Sequence, residues 1–301
     1  MALKMEGMYE TVDGTGDLSL TPRSGEAILV QDIWVDNPVS AAVKIQVSQT
    51  TVGFFRGSGV LGNHLPFPIQ DEPNSSLFGF LRERGIFRPI PVAEGETLTI
   101  SGVAQAGAFQ CVRYDIYDAA DVNSSMPNGS KNNELDYISY GTVTSALAAG
   151  VDTLDVMVNS SEFPSFPWES NVPDNRVIDW YGILASDVAK EDTSATNEQN
   201  TERLNFTLNQ SVLFDLDLTG LLYHGTLPGS DVTVVGTGTS IAGNYSDTDE
   251  RQPLLFQNPI RLLPGDELLC QWESEVISGS ANLATTDCEV GLIFRLMKQT
   301  G

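Results

Sequence analysis

The chain has 301 residues, enough for one large or two medium domains with full cores. Its 41% hydrophobic and 8% aromatic content is ordinary for a globular protein. The charge is lopsided, with 40 acids against 16 bases and a formal net charge of -24, so the surface repels nucleic-acid phosphates and anionic lipid head groups.

Five of the bases are lysines: Lys4, Lys44, Lys131, Lys190 and Lys298. Many acids with few lysines suit work at high salt or with divalent cations, and equally suit a plain soluble acidic surface. Residues 1–10 carry no apolar run of the secretory type. Nowhere does the sequence approach the roughly 18 apolar residues of a membrane span. The expectation is a soluble chain made in the cytoplasm. Asn-x-Ser/Thr triplets such as Asn128-Gly129-Ser130 are expected by chance in a chain this rich in Asn, Ser and Thr.

Strand signals open at residues 27–35, apolar with partial alternation and closed by the turn Asp36-Asn37-Pro38. Residues 42–48 alternate cleanly, as do 97–100 and 111–117. In the second half the alternation returns at 204–208, 213–218, 231–235, 268–272 and 290–296. A period of two means one buried face and one wet face, as in antiparallel sheets. Helical signal is confined to two short candidates, 75–84 and 180–190. Residues 191–201 read as a long surface loop, and the polar stretch 119–136 as the domain boundary. The fold class expected is all-β, with two tandem antiparallel β-sandwiches and few short helices.

One segment recurs. Pro89, Ile90, Val92, Gly95, Glu96 and Leu98 align without a gap to Pro259, Ile260, Leu262, Gly265, Asp266 and Leu268. The pattern reads as a short strand, a turn that uses Gly, and the next strand, with the acid after Gly placed to bond the turn backbone. Both copies stand near the end of their half, and each is followed by further alternating strands.

Catalytic constellations are hard to find. The two histidines, His64 and His224, are not at ligand spacing and read as surface or turn residues. No nucleophile elbow, P-loop or dinucleotide fingerprint occurs. The expectation is no enzyme, with a glycosidase using scattered carboxylates as the remaining catalytic option. Asp247, Asp249 and Glu250 form a compact acidic loop of hard oxygen donors, a candidate calcium site that lacks EF-hand spacing. The competing reading is a solvated loop, so calcium is the one cofactor considered. Cys111, Cys270 and Cys288 make neither a disulfide framework nor a zinc site. Cys270 and Cys288 could pair across neighbouring strands; otherwise both are small core residues. The cluster Phe163-Pro164-Ser165-Phe166-Pro167-Trp168 reads as a packed or interfacial loop, or as a sugar-stacking surface.

On the repeated Pro-Ile segments, the central linker and the strand-rich pattern, the chain resembles the double jelly-roll major capsid proteins of internal-membrane-containing icosahedral phages. The nearest types are the corticovirus and finnlakevirus coats, in the tectivirus–adenovirus lineage. That resemblance implies an N-terminal arm at residues 1–17, reaching a neighbour or the membrane beneath. A first jelly roll then spans 18–118, a linker 119–136 and a second jelly roll 137–301. It also implies homotrimeric, pseudo-hexagonal capsomers in a virion capsid, with residues 61–76 and 191–201 as outer loops. The implied partners are the chain itself, neighbouring capsomers, penton or spike proteins and an internal viral membrane, with no direct nucleic acid. The alternative function is a phage spike or a carbohydrate-binding tandem sandwich.

Overall fold

A computed structural model of the chain describes residues 1–36, 42–56, 64–65, 81–82, 84–102, 109–122, 134–138, 141–143, 151–157, 171–185, 189–191, 199–213, 254–275 and 289–298. The fold is all-β and its long ladders are antiparallel. Two compact units are present: Met1–Ile138 with Phe294–Lys298, and Ser139–Ile293 with Gln299–Gly301.

The first unit contains β1 (Leu3–Asp13), β2 (Leu18–Leu20), β3 (Glu26–Asp36), β4 (Ala42–Val47) and β5 (Thr50–Arg56). It continues with β6 (His64–Leu65), β7 (Ile90–Val92), β8 (Leu98–Ser101), β9 (Phe109–Asp118) and β10 (Glu134–Ile138). The second unit contains β11 (Gly141–Val143), β12 (Val151–Met157), β13 (Arg176–Ala185), β14 (Ala189–Glu191) and β15 (Gln199–Leu208). It ends with β16 (Ser211–Leu213), β17 (Leu254–Leu262), β18 (Leu268–Glu275) and β19 (Glu289–Lys298). The tail of β19 belongs to the first unit.

One sheet of the first unit runs β1-β9-β3-β6, with β7 also on β3. Its second sheet runs β5-β4-β8-β2. Alternation builds the core between them. Ile28, Val30, Ile33 and Val35 of β3 are buried, as are Leu18, Leu20, Ile45, Val47, Leu98 and Ile100 of the other sheet. Each buried aliphatic side chain contributes about 1.5–3 kcal/mol, which is what holds two half-wet sheets together. The core of the second unit includes Trp180, which is fully buried. Its ring meets Phe206 and Phe256, each with centroids 5.0 Å away.

The two units share their hydrogen-bond skeleton. In the first, Ile28 pairs with Val92 and Val30 with Ile90. In the second, Ile178 pairs with Leu262 and Trp180 with Ile260. The ladder of β3 with β9 shifts register between Val30 and Asp32, and that of β13 with β17 between Trp180 and Gly182. Ahead of them stand matching turns, Glu26 N–H to Arg23 O and Arg176 N–H to Pro173 O. Gly25 and Asn175 take the left-handed conformation there. Val47 pairs with Leu98 in one unit and Leu208 with Leu268 in the other. The hairpin turns at Ser48 and Asn209, both at positive φ, donate to Thr97 O and Glu267 O respectively. The repeated Pro-Ile segment is thus one part of a longer duplication.

Residues 180–190, expected as a short helix, are a correction. Trp180–Ala185 lies inside β13, and Ala189–Glu191 is β14. The buried positions Ile178, Asp179, Trp180, Gly182 and Ile183 lie on both faces of the strand, so the segment shows no period of two. Of residues 75–84, Leu81 and Arg82 are helical, while 75–80 and 83 lie outside the described residues. Residues 1–17, expected as an arm, contain β1, which pairs along its length with β9 of the same unit. The expected linker, 119–136, begins with a 3-10 turn at Ala119–Asp121 and ends inside β10, so the unit boundary falls after Ile138.

Candidate functional site

The feature of the first unit that calls for a function is β1. Among the described residues it pairs with β9 alone and forms the end of its sheet. It exposes Leu3 (48%), Met5 (54%) and Tyr9 (57%), with Met1 (79%) just ahead of it and Phe109 of β9 (38%) beside its far end. Single exposed apolar side chains are ordinary, but a strip of them along a sheet edge is what an association surface needs.

Polar bonds hold the strip in place. Lys4 donates to the Asp118 carboxylate at 2.7 Å and to the Gly25 carbonyl at 2.7 Å. The bond to Asp118 raises the Lys4 pKa above its ordinary value. Gly7, at φ 66°, turns its N–H onto Asp115 Oδ1 at 2.8 Å. The ladder slips on either side of Met5, so the free edge is kinked. Below it lies an acidic depression lined by Glu94, Asp118 and Asp121. Glu94 accepts from the Gly25 amide at 2.8 Å and the Ser24 hydroxyl at 3.0 Å, and these bonds hold its pKa below the usual carboxylate range.

Two clamps use the scarce arginines. In the first unit Asp136, buried, accepts from Arg88 Nε at 2.7 Å and from Arg295 Nε, while Arg88 also reaches Glu134 at 2.6 Å. In the second, Arg261 grips Asp179 with two bonds of 2.7 and 2.9 Å. That bidentate contact is the strong form of an ion pair. Neither clamp was read from the sequence. The available signal was the rarity of bases: in a chain at -24, a conserved charge is not needed to suspect that an arginine in a strand has an acid opposite it.

The residues singled out from the sequence are placed unevenly. Asp247, Asp249, Glu250 and His224 lie outside the described residues, as do Cys288 and the Phe163–Trp168 cluster. Among the described residues no group of three His, Cys, Asp or Glu side chains could hold a metal ion. His64 sits in β6, opposite Asp36 in the ladder with β3. Cys111 and Cys270 are buried in different units. Burial pushes the Cys111 thiol above its ordinary pKa. Glu191 and Gln199, within the expected loop 191–201, pair across the β14–β15 ladder.

No family model matches the chain. No curated protein matches it either. Among solved structures it is similar to the major capsid protein P2 from bacteriophage PM2, at 11% identity and a TM-score of 0.32 over 98% of each chain. It is also similar to a peptide-N(4)-(N-acetyl-β-D-glucosaminyl) asparagine amidase, at 8% identity and a TM-score of 0.28. That alignment covers all of this chain and 95% of the amidase. A recombinant peptide:N-glycanase F gives 10% identity and a TM-score of 0.28, over all of this chain and 94% of that one.

Proposed function

We propose that the chain is a structural capsid subunit whose function is self-assembly into trimeric, pseudo-hexagonal capsomers of an icosahedral virus shell. The observation that carries this reading is the internal duplication. Two units with matching ladders and matching turns stand in one chain. Three such chains in a ring supply six similar building units, and six similar units suit a hexagonal position that three alone fill less evenly. The exposed strip on β1 supports a surface for association. The charge of -24 favours a place outside a membrane over direct contact with packaged nucleic acid.

The partners in this reading are other copies of the chain, neighbouring capsomers, penton or spike proteins and the internal membrane. The test is sedimentation and negative-stain microscopy of the purified chain, in salt and with calcium. A trimer with hexagonal outlines is expected, and its large interfaces should keep it intact on dilution. Replacing Leu3 and Tyr9 together by Glu should weaken association while leaving the circular-dichroism spectrum unchanged. A chain that stays monomeric at high concentration in every condition overturns the proposal.

A further inference from the structure

We infer that Phe294–Lys298 is a closing strap for the first unit, latched by Asp136, so that this unit becomes stable only once the strap is seated. The inference stands apart from the capsid reading. It starts from the discontinuity of the first unit, which takes Met1–Ile138 and then skips to Phe294–Lys298. Within the strap, Phe294 and Leu296 are buried at 2% and 1% exposure, and Arg295 lies between them. Alternation therefore places the two apolar side chains on one face and the guanidinium on the other.

That guanidinium is the latch. Arg295 Nε donates to Asp136 Oδ1, and Arg295 also donates to the Ile86 carbonyl at 3.0 Å. Asp136 Oδ2 takes Arg88 Nε at 2.7 Å and the Arg88 amide at 3.3 Å. Three stretches far apart in sequence, 86–88, 134–136 and 295, thus meet at one buried carboxylate. The Asp136 side chain is only 5% exposed, against 47% for Arg88 and 18% for Arg295. Without the strap, one carboxylate oxygen loses its cation inside the fold, and a buried charge that loses a partner is strongly destabilising.

The consequence is an order of folding. The residues of β1–β10 are joined in sequence, yet their unit closes with a segment more than 150 residues further on. The test uses the full chain, refolded from urea with pulsed hydrogen exchange. Amides of β3, β8 and β10 should become protected in the same phase as those of 294–298. In native-state exchange, Arg295→Met should raise the exchange of Glu134–Ile138 and Phe294–Lys298 together by about 100-fold. Arg295→Lys, which keeps the charge but not the fork, should fall between Met and the unaltered chain. Amides of Gln199–Leu208, in the second unit, should change little in either variant. If β3 and β8 gain full protection in an earlier phase than 294–298, the inference is overturned. The same holds if Arg295→Met loosens 294–298 and leaves Glu134–Ile138 protected.

Discussion

Gly95 and Gly265 are the sharpest test of the duplication. Each sits third in a four-residue turn, closed by Glu96 N–H to Ala93 O at 3.0 Å and by Asp266 N–H to Leu263 O at 3.0 Å. Their φ angles are 85° and 87°, as the third position of a type II turn requires. In both, the following acid reaches back: Glu96 accepts from the Ala93 amide at 2.9 Å and Asp266 from the Leu263 amide at 2.6 Å. A methyl group added at either glycine would meet nothing within 4 Å. Replacement by Ala therefore carries a backbone cost and no steric one, about 1–2 kcal/mol for an L-residue held in the left-handed region. The same cost is expected in both units. Asn, which tolerates that region, should cost less than Ala at both sites. The assay is native-state hydrogen exchange in urea, read at β8 amides for one unit and β18 amides for the other, so that each unit reports its own stability. Costs that differ by more than about 1 kcal/mol between the two sites, or Asn as damaging as Ala, would refute the view that one turn has been used twice.

Three further outcomes are expected. Arg261→Met leaves the Asp179 carboxylate, 6% exposed, without its guanidinium, and should destabilise the second unit by about 1–3 kcal/mol. Adding Asp179→Asn should recover part of that loss in urea unfolding, and an additive double variant would contradict the pairing. Cys111 should resist alkylation at mildly alkaline pH in the folded chain, because burial both hides the thiol and raises its pKa, and should react once the chain is unfolded. Fast labelling of the native chain at Cys111 would refute this. Glu94 has a lowered folded pKa, so its contribution is in place above about pH 4.3 and fades as pH falls through the folded value. The stability gap between the unaltered chain and Glu94→Gln should accordingly close on acidification below that pH; a gap constant down to pH 3 would refute the assignment.

Much of the fold was legible because alternation is a local signal. Residues 42–48 and 111–117 alternate, and β4 and β9 form there. What sequence reading lost was any feature without clean alternation. Burial on both faces of residues 178–183 hid the strand β13. The polar stretch 119–136 was read as a boundary from composition alone. Its last acids are instead held by arginines distant in sequence, a pairing that no local pattern encodes. Likewise β1 has a weak strand signal, since nearly every one of its side chains is exposed or half-exposed, and its pairing to β9 depends on a strand about a hundred residues away.

The way the two units differ says which parts of the duplication are under constraint. Where a backbone group must be satisfied, the partner is kept even when the residue changes: Glu96 and Asp266 cap the same amide, and Gly25 and Asn175 share a conformation that few residues adopt. Where a side chain fills the core, volume shifts between sites, as Val30 becomes Trp180 and Ile45 becomes Phe206 at matching ladder positions. On the opposite face of the same ladders, chemistry is replaced outright. Leu29 opposite Pro91 corresponds to Asp179 opposite Arg261, an apolar pair against an ion pair. The shared skeleton therefore explains why the units fold alike, and the divergent pairs on the opposite face give each unit contacts of its own.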